Sequence, residues 1–182
     1  MPFDPQQHHR HSARLQGYDY SQAGAYFITL VTFQRAELFG SIHDGQMQLS
    51  RCGEIVREEW FASADIRKEI RLHPEEFVVM PNHVHGIVWI VDDGTATVGA
   101  SGRSPLQASL KLPKKSLGSF VAGFKSSVTK RIRDELNMTG IWQRNYYDRI
   151  LRNERELDAV RRYIEVNPLQ WAEDEENQSN QL

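Results

Sequence analysis

His83 and His85, separated by one residue, are the side chains in this sequence best placed to do chemistry. They lie in Phe77-Val78-Val79-Met80-Pro81-Asn82-His83-Val84-His85-Gly86-Ile87-Val88-Trp89-Ile90-Val91, two apolar runs broken by Pro81-Asn82. Each run is short and rich in β-branched residues, so each is expected to be a buried strand, with the chain turning between them. Side chains alternate along a strand, which puts His83 and His85 on one face with their bases roughly 6–7 Å apart. Two imidazoles at that separation can converge on one cation or one phosphate oxygen. A buried strand gains nothing from neighbouring polar rings unless something uses their nitrogens.

A second candidate group lies near the C-terminus. The spacing predicts a helix from about Glu154 to Val166, opened by a capping box of Asn153 with Glu156 and stopped by Pro168. Leu157, Val160 and Ile164 form its buried stripe, and Tyr163 and Asn167 fall one turn apart at the edge of that stripe. If this helix crosses the strand bearing the histidines, one site gains two imidazoles, an amide oxygen and a phenol. That set suits metal-assisted attack on a phosphodiester, with the cation polarising a phosphoryl oxygen. The phenol would be the nucleophile, and the phosphotyrosine link it forms conserves the broken bond's energy for rejoining. A free Tyr titrates near ~10, so it needs a cation or base to ionise at neutral pH. Tyr146 and Tyr147 are rival nucleophiles, with Gln143 and Asp148 beside them. They read better as core and DNA-facing aromatics able to stack an unpaired base.

These groups need a scaffold. Ala25 to Gln34, dense in aromatic and β-branched residues, is the clearest strand. Gly40 to Leu49 reads as a turn and a short second strand with Asp44-Gly45 at the bend. Ser50 to Ile70, with Ile55, Val56, Trp60 and Phe61 at helical spacing, reads as a first helix. Residues from about 92 to 113 lack periodicity and read as a long flexible loop. Leu117 to Leu136 is expected to be a second helix with an apolar stripe of Leu117, Phe120, Val121, Phe124, Val128 and Ile132. Ile141 to Leu151 suggests a last strand. The order implies an α+β sandwich, helices packed on a mainly antiparallel sheet. A polar arm (1–24, with His8, His9 and His11) precedes the domain at 25–171, and an acidic tail (172–182) follows it.

The chain has 182 residues, 40% of them hydrophobic, which suits one domain. No apolar run approaches the ~18–20 residues of a membrane span. The single Cys52 forms no internal disulfide and excludes a cysteine-rich zinc site, pointing to a reducing cytoplasm. Formal net charge is −2, but Arg103, Lys111, Lys114, Lys115, Lys125, Lys130, Arg131 and Arg133 form a stretch free of acid, while Glu173-Asp174-Glu175-Glu176 carries the opposite sign. A local basic surface on a nearly neutral protein suggests polyanion binding; a solvated helix face explains the same charges equally well.

Met80-Pro81-Asn82-His83-Val84-His85 resembles the HUH signature (His, bulky apolar, His) of single-tyrosine transposases, and Tyr163-Ile164-Glu165-Val166-Asn167-Pro168 resembles their nucleophile helix. The chain is most similar to the REP-associated tyrosine transposases, relatives of insertion-sequence transposases. Trp142-Gln143-Arg144-Asn145-Tyr146-Tyr147-Asp148-Arg149 and the segment from Tyr18 to Phe27 also fit that group, so the likeness runs from about Arg14 to Trp171. HUH alone is a weak signal; joined in order to the other motifs it is strong. The resemblance implies a ferredoxin-like core and a Mg²⁺ or Mn²⁺ ion. It also implies cleavage and rejoining of single-stranded DNA beside a hairpin through a 5′-phosphotyrosine intermediate. Carried over, His83 and His85 are metal ligands, Tyr163 is the nucleophile, and Asn167 stands where the insertion-sequence branch has a third ligand, Gln. Asn is one methylene shorter, which favours a weaker or water-mediated contact. Hairpin DNA would be held by Lys114, Lys115, Lys125, Lys130, Arg131, Arg133, Arg144, Tyr146, Tyr147 and Arg149.

Two other classes stay open at this level. One is a hairpin-binding domain that no longer cuts. The other is a metal-dependent hydrolase with water as nucleophile, although zinc hydrolases usually offer three firm protein ligands. Monomer and homodimer are both compatible with the sequence, and the choice decides whether Tyr163 completes its own site or a neighbour's.

Overall fold

Alternation along strand β1 (Gly24–Val31) organises the molecule: Tyr26, Ile28 and Leu30 point to one face of the sheet, Ala25, Phe27 and Thr29 to the other. The computed structural model describes residues 17–92, 115–174 and 176–177. Residues 1–16 of the polar arm, with His8, His9 and His11, and all of the expected 92–113 loop beyond Asp92, lie outside them; the rest of the arm is described, and its Tyr18 and Tyr20 pack against the core. After β1 come a hairpin, β2 (Gly40–His43) and β3 (Gln46–Leu49), then helix α1 (Arg51–Ile66), β4 (Ile70–Arg71), β5 (Phe77–Val79) and β6 (His83–Ile90). Helix α2 (Leu117–Leu136), strand β7 (Tyr147–Leu151) and helix α3 (Glu154–Val166) complete the regular elements.

The main sheet has the order β4-β6-β1-β7, with β5 also pairing β6, and every pairing is antiparallel. Helices α1 and α2 pack together on one face, burying Ile55, Val56, Trp60, Phe120, Phe124 and Val128 against Tyr26, Ile28 and Leu30. Helix α3 lays Leu157, Val160 and Ile164 on the opposite face, over Ala25, Ile87 and Leu151. This is the α+β sandwich that the order of elements implies, with the ferredoxin-like core that the resemblance implies. Burial of these apolar faces supplies the main driving force, at ~25 cal/mol per Å² removed from water.

Gly86 shows how tightly the first face is packed. It sits on β6 between Val84 and Val88, and the Trp60 indole, stacked on Phe77 at 4.5 Å between centroids, lies directly over it. A Cβ at this position would come within 2.5 Å of Trp60 Cζ2. Trp60 is fully buried and has nowhere to go. Gly86→Ala is therefore expected to destabilise the fold by about 1–3 kcal/mol, read as a lower denaturation midpoint at unchanged slope.

Three boundaries differ from the sequence reading. The region 40–49 is a complete hairpin: Asp44 and Gly45 both take positive φ (51° and 72°), the type I′ turn that matches strand twist. Helix α1 ends at Ile66, because Arg67 pairs with Glu69 at 2.6 Å and turns the chain into β4. Helix α3 ends at Val166 as the spacing predicts, but Pro168 does not end the chain's helical course. It occupies the first turn of a 3₁₀ helix, Asn167–Glu173, where its missing N–H costs nothing.

Beyond that 3₁₀ helix, Asp174, Glu176 and Asn177 fold back onto the sheet. Asp174 Oδ1 accepts from the Glu176 amide at 2.7 Å, Asn177 Nδ2 donates to Trp171 O at 2.9 Å, and Asn82 Nδ2 donates to Glu176 O at 2.7 Å. The first tail residues thus belong to the domain and are stitched to the Pro81-Asn82 turn.

Candidate active site

Strand β6 places His83 and His85 on the α3 face of the sheet, both buried, with their Nε2 atoms 3.0 Å apart. Their outer nitrogens determine what those inner atoms are. Asn82 Nδ2 donates to two carbonyls, Arg35 O at 3.1 Å and Glu176 O at 2.7 Å, so its Oδ1 is the atom 2.9 Å from His83 Nδ1. His83 Nδ1 must therefore carry the proton, leaving a lone pair on Nε2. His85 Nδ1 lies 2.8 Å from Thr29 Oγ1, its cross-strand neighbour, which fixes the orientation of the ring. Two inward-facing nitrogens at 3.0 Å need a proton or a cation between them.

Tyr163 reaches this pair from α3. Its hydroxyl is 3.1 Å from His85 Nε2, and its ring meets His85 at 5.0 Å and Phe27 edge-on at 6.1 Å between centroids. The side chain is 40% exposed, so the phenol is open to a ligand. It stands in a cleft of about 540 Å³ lined among others by Phe27, Thr29, Tyr147, Asn167, Gln170 and Asp174. The strand and the helix, far apart in sequence, meet within one chain.

Asp174, a residue of the supposed tail, was not singled out in the sequence. Its Oδ2 lies 4.0 Å from His83 Nε2, and ligand atoms of His83, His85 and Asp174 all fall within 4.8 Å of one another. Asn167, buried at the start of the 3₁₀ helix, donates through Nδ2 to Asp174 Oδ2 at 3.2 Å. That bond leaves Asn167 Oδ1 as a buried acceptor without a hydrogen-bond partner. Two imidazole nitrogens, a carboxylate and an orphaned amide oxygen are a fitting donor set for a divalent cation that tolerates mixed N/O ligands, as Mn²⁺ and Mg²⁺ do.

Burial also keeps the imidazoles in their ligating form. It pushes His83 down to about 4, with the Asp174 carboxylate pulling the other way, and holds His85 well below its ordinary value, helped by His83. The unfolded chain then binds the His83 proton more tightly than the folded one. Stability from this group is complete above the ordinary 6.5 and is lost as pH falls from there toward about 4. Chelator-treated protein is expected to show a lower urea midpoint at about pH 5 than at about pH 7.5, and added Mn²⁺ to raise both midpoints without narrowing the difference, because burial keeps the folded imidazole largely neutral at both.

The basic residues fare differently from the histidines. On α2, Arg131 pairs with Glu58, Glu59 and Glu135, and Lys130 and Arg133 pair with Asp134. Lys125 Nζ donates to the carbonyls of Gln143 (2.7 Å) and Asn145 (3.0 Å), strapping the chain ahead of β7. Much of the α2 charge is thus matched by acids of α1, by Asp134 and Glu135 of α2 itself, or by backbone. Lys114 lies outside the described residues, and Lys115 sits at positive φ just before the α2 cap Ser116. Arg144 and Arg149 are exposed, the latter 3.8 Å from Glu156. Tyr146 packs half-buried against the core, whereas Tyr147, opposite Thr29, lines the cleft. Among the described residues no helix is long and apolar enough to cross a membrane.

No family model matches the chain. An uncharacterised protein of Haemophilus influenzae is 38% identical over 173 residues, covering 92% of this chain and 93% of that protein. A solved structure of a REP-associated tyrosine transposase bound to a REP hairpin superposes with a TM-score of 0.57 at 17% identity, over 87% of this chain and 74% of that one. The chain therefore belongs to the same family as the Haemophilus influenzae protein and has the fold of a REP-associated tyrosine transposase.

Proposed function

We propose that this protein is a divalent-metal-dependent endonuclease and strand transferase acting in the cytoplasm on single-stranded DNA beside hairpin-forming, REP-like palindromes. The observation that carries the reading is the Tyr163 hydroxyl, open to the cleft and hydrogen-bonded at 3.1 Å to an imidazole of the buried pair. His83, His85 and Asp174 would hold the ion, and the buried, unpartnered Asn167 Oδ1 is a further candidate donor. When bound, Mg²⁺ or Mn²⁺ supplies Lewis acidity to a phosphoryl oxygen and eases ionisation of the phenol.

Tyr163 Oη forms a bond to phosphorus as the P–O3′ bond breaks, so a 3′-hydroxyl leaves and the 5′-phosphate stays on the tyrosine. The number of phosphodiester bonds is conserved, and attack by another 3′-hydroxyl runs the step backwards to rejoin DNA. Thr29 and Asn82 orient the two imidazoles through their outer nitrogens. Phe27 and Tyr147 offer aromatic walls on which an unpaired base can stack, and Arg144 and Arg149 are open to phosphate. One chain supplies every named group, which supports action in cis by a monomer.

The test incubates the protein with end-labelled single-stranded DNA carrying a hairpin, in Mg²⁺ or Mn²⁺. An SDS-resistant protein–DNA adduct is expected, lost with chelator, together with a released strand whose 3′-hydroxyl a polymerase can extend. Cleavage without an adduct would assign the chemistry to water. Hairpin binding without cleavage would leave a recognition module.

A further inference from the structure

Glu76 is a fully buried carboxylate that the proposed chemistry does not use. It closes the short 3₁₀ turn Pro74–Glu76 ahead of β5 and faces α3 across the edge of the sheet. Oε1 accepts both Nε (2.9 Å) and Nη2 (2.7 Å) of Arg161, and Oε2 accepts the Trp89 indole N–H at 2.6 Å. Trp89 stands on the same face of β6 as His83 and His85. One carboxylate thus ties α3 to the very strand that carries the imidazole pair.

The geometry of α3 makes this tie consequential. Arg161 and Tyr163 lie two positions apart, about 200° around the helix axis, so they flank the Leu157–Val160–Ile164 stripe on opposite sides. Apolar packing along that stripe resists lifting of the helix but only weakly resists its rolling. Tyr163 itself is 40% exposed, so core packing does little to hold its ring. A roll of about 10° moves a hydroxyl some 8–9 Å from the axis by roughly 1.5 Å, and a displacement of that order can cost about 10²-fold in rate.

We infer that Glu76, acting through Arg161, is a positioning residue for Tyr163: it sets the roll of α3 and so keeps the tyrosine hydroxyl against His85. The inference rests on the reading of Tyr163 as the nucleophile. Removing one member of such a pair strands the other's charge. Arg161→Met leaves a fully buried carboxylate unpaired, whereas Glu76→Gln removes that charge and frees a guanidinium already 40% exposed, so Glu76→Gln is the variant that separates geometry from folding.

Glu76→Gln keeps the shape and an acceptor for Trp89 while removing the charge that holds Arg161. Full-chain Glu76→Gln, Arg161→Met and Arg161→Lys are compared with wild type in melting temperature, affinity for the hairpin DNA and single-turnover adduct formation. Separately, 3-fluorotyrosine at position 163 is read by ¹⁹F NMR without DNA. Glu76→Gln and Arg161→Met are expected to slow adduct formation about 10- to 100-fold with affinity within about twofold, and Arg161→Lys to recover part of the rate. The fluorine resonance should move in Glu76→Gln. Rates that fall only in step with the folded fraction, or a resonance that stays put, would overturn the inference. If wild type forms no adduct, the nuclease reading fails, while the fluorine comparison still decides whether Glu76 places the Tyr163 hydroxyl.

Discussion

Tyr163→Phe is expected to abolish the covalent protein–DNA adduct, a loss of at least about 10⁴-fold, because it deletes the one oxygen positioned to attack. What should survive defines the result. The ring keeps its contacts with Phe27 and His85, and the side chain is exposed enough that losing one hydroxyl costs the fold little. Hairpin affinity and the Mn²⁺ titration are therefore expected to stay within about twofold of wild type. Tyr147→Phe is the matched comparison, since Tyr147 lines the same cleft from β7. It should keep the adduct and weaken DNA binding only modestly. An adduct that persists in Tyr163→Phe and vanishes in Tyr147→Phe would move the nucleophile from the helix to the strand.

What the sequence disclosed here follows from local periodicity. Period two along 83–90 puts the imidazoles on one face, and the Leu157–Val160–Ile164 stripe brings α3 down on that face with Tyr163 and Asn167 at its edge. Both inferences need only neighbouring residues. Asp174 could not be read that way. It sits in an acid-rich run after a proline, a pattern that ordinarily marks a solvated end, and only the 3₁₀ turn of Asn167–Glu173 and the Asn82–Glu176 bond carry it back to His83. Glu76 was hidden for the same reason: its partners, Trp89 and Arg161, are 13 and 85 residues away.

The basic stretch shows the opposite limit of local reading. Acid is absent from 103–133 in sequence, yet α1 brings Glu58 and Glu59 against Arg131 in space. Local charge counts say little about a helix whose neighbour carries the counter-charge. Glu54, Glu58 and Glu59 on the first helix, considered together with its packing on the second, are the signal that would have shown it.

Asp174→Asn is the substitution that tests the metal centre most sharply, because it separates a ligand's charge from its shape. The variant's Oδ1 can still accept from the Glu176 amide, and its NH2 group can donate to Asn167 Oδ1 once that amide turns over, so both contacts that hold residue 174 in place are kept. Folding should therefore change little, while the donor set loses its one carboxylate beside two neutral imidazoles. Divalent ions bind such a site largely through that charge, and Mn²⁺ affinity is expected to fall about 10- to 100-fold, measured by calorimetric titration of the DNA-free protein. His83→Ala removes a first nitrogen as well as the bond to Asn82, so it should weaken binding further and also lower stability. Because burial already keeps His83 neutral near pH 7, ion uptake by wild type should release few protons, and the observed enthalpy should vary little between buffers of different ionisation heat. Unaltered Mn²⁺ affinity in Asp174→Asn would make Asp174 a bracket for Asn167 and Glu176, and would leave the ion to the imidazoles and the Asn167 amide oxygen alone.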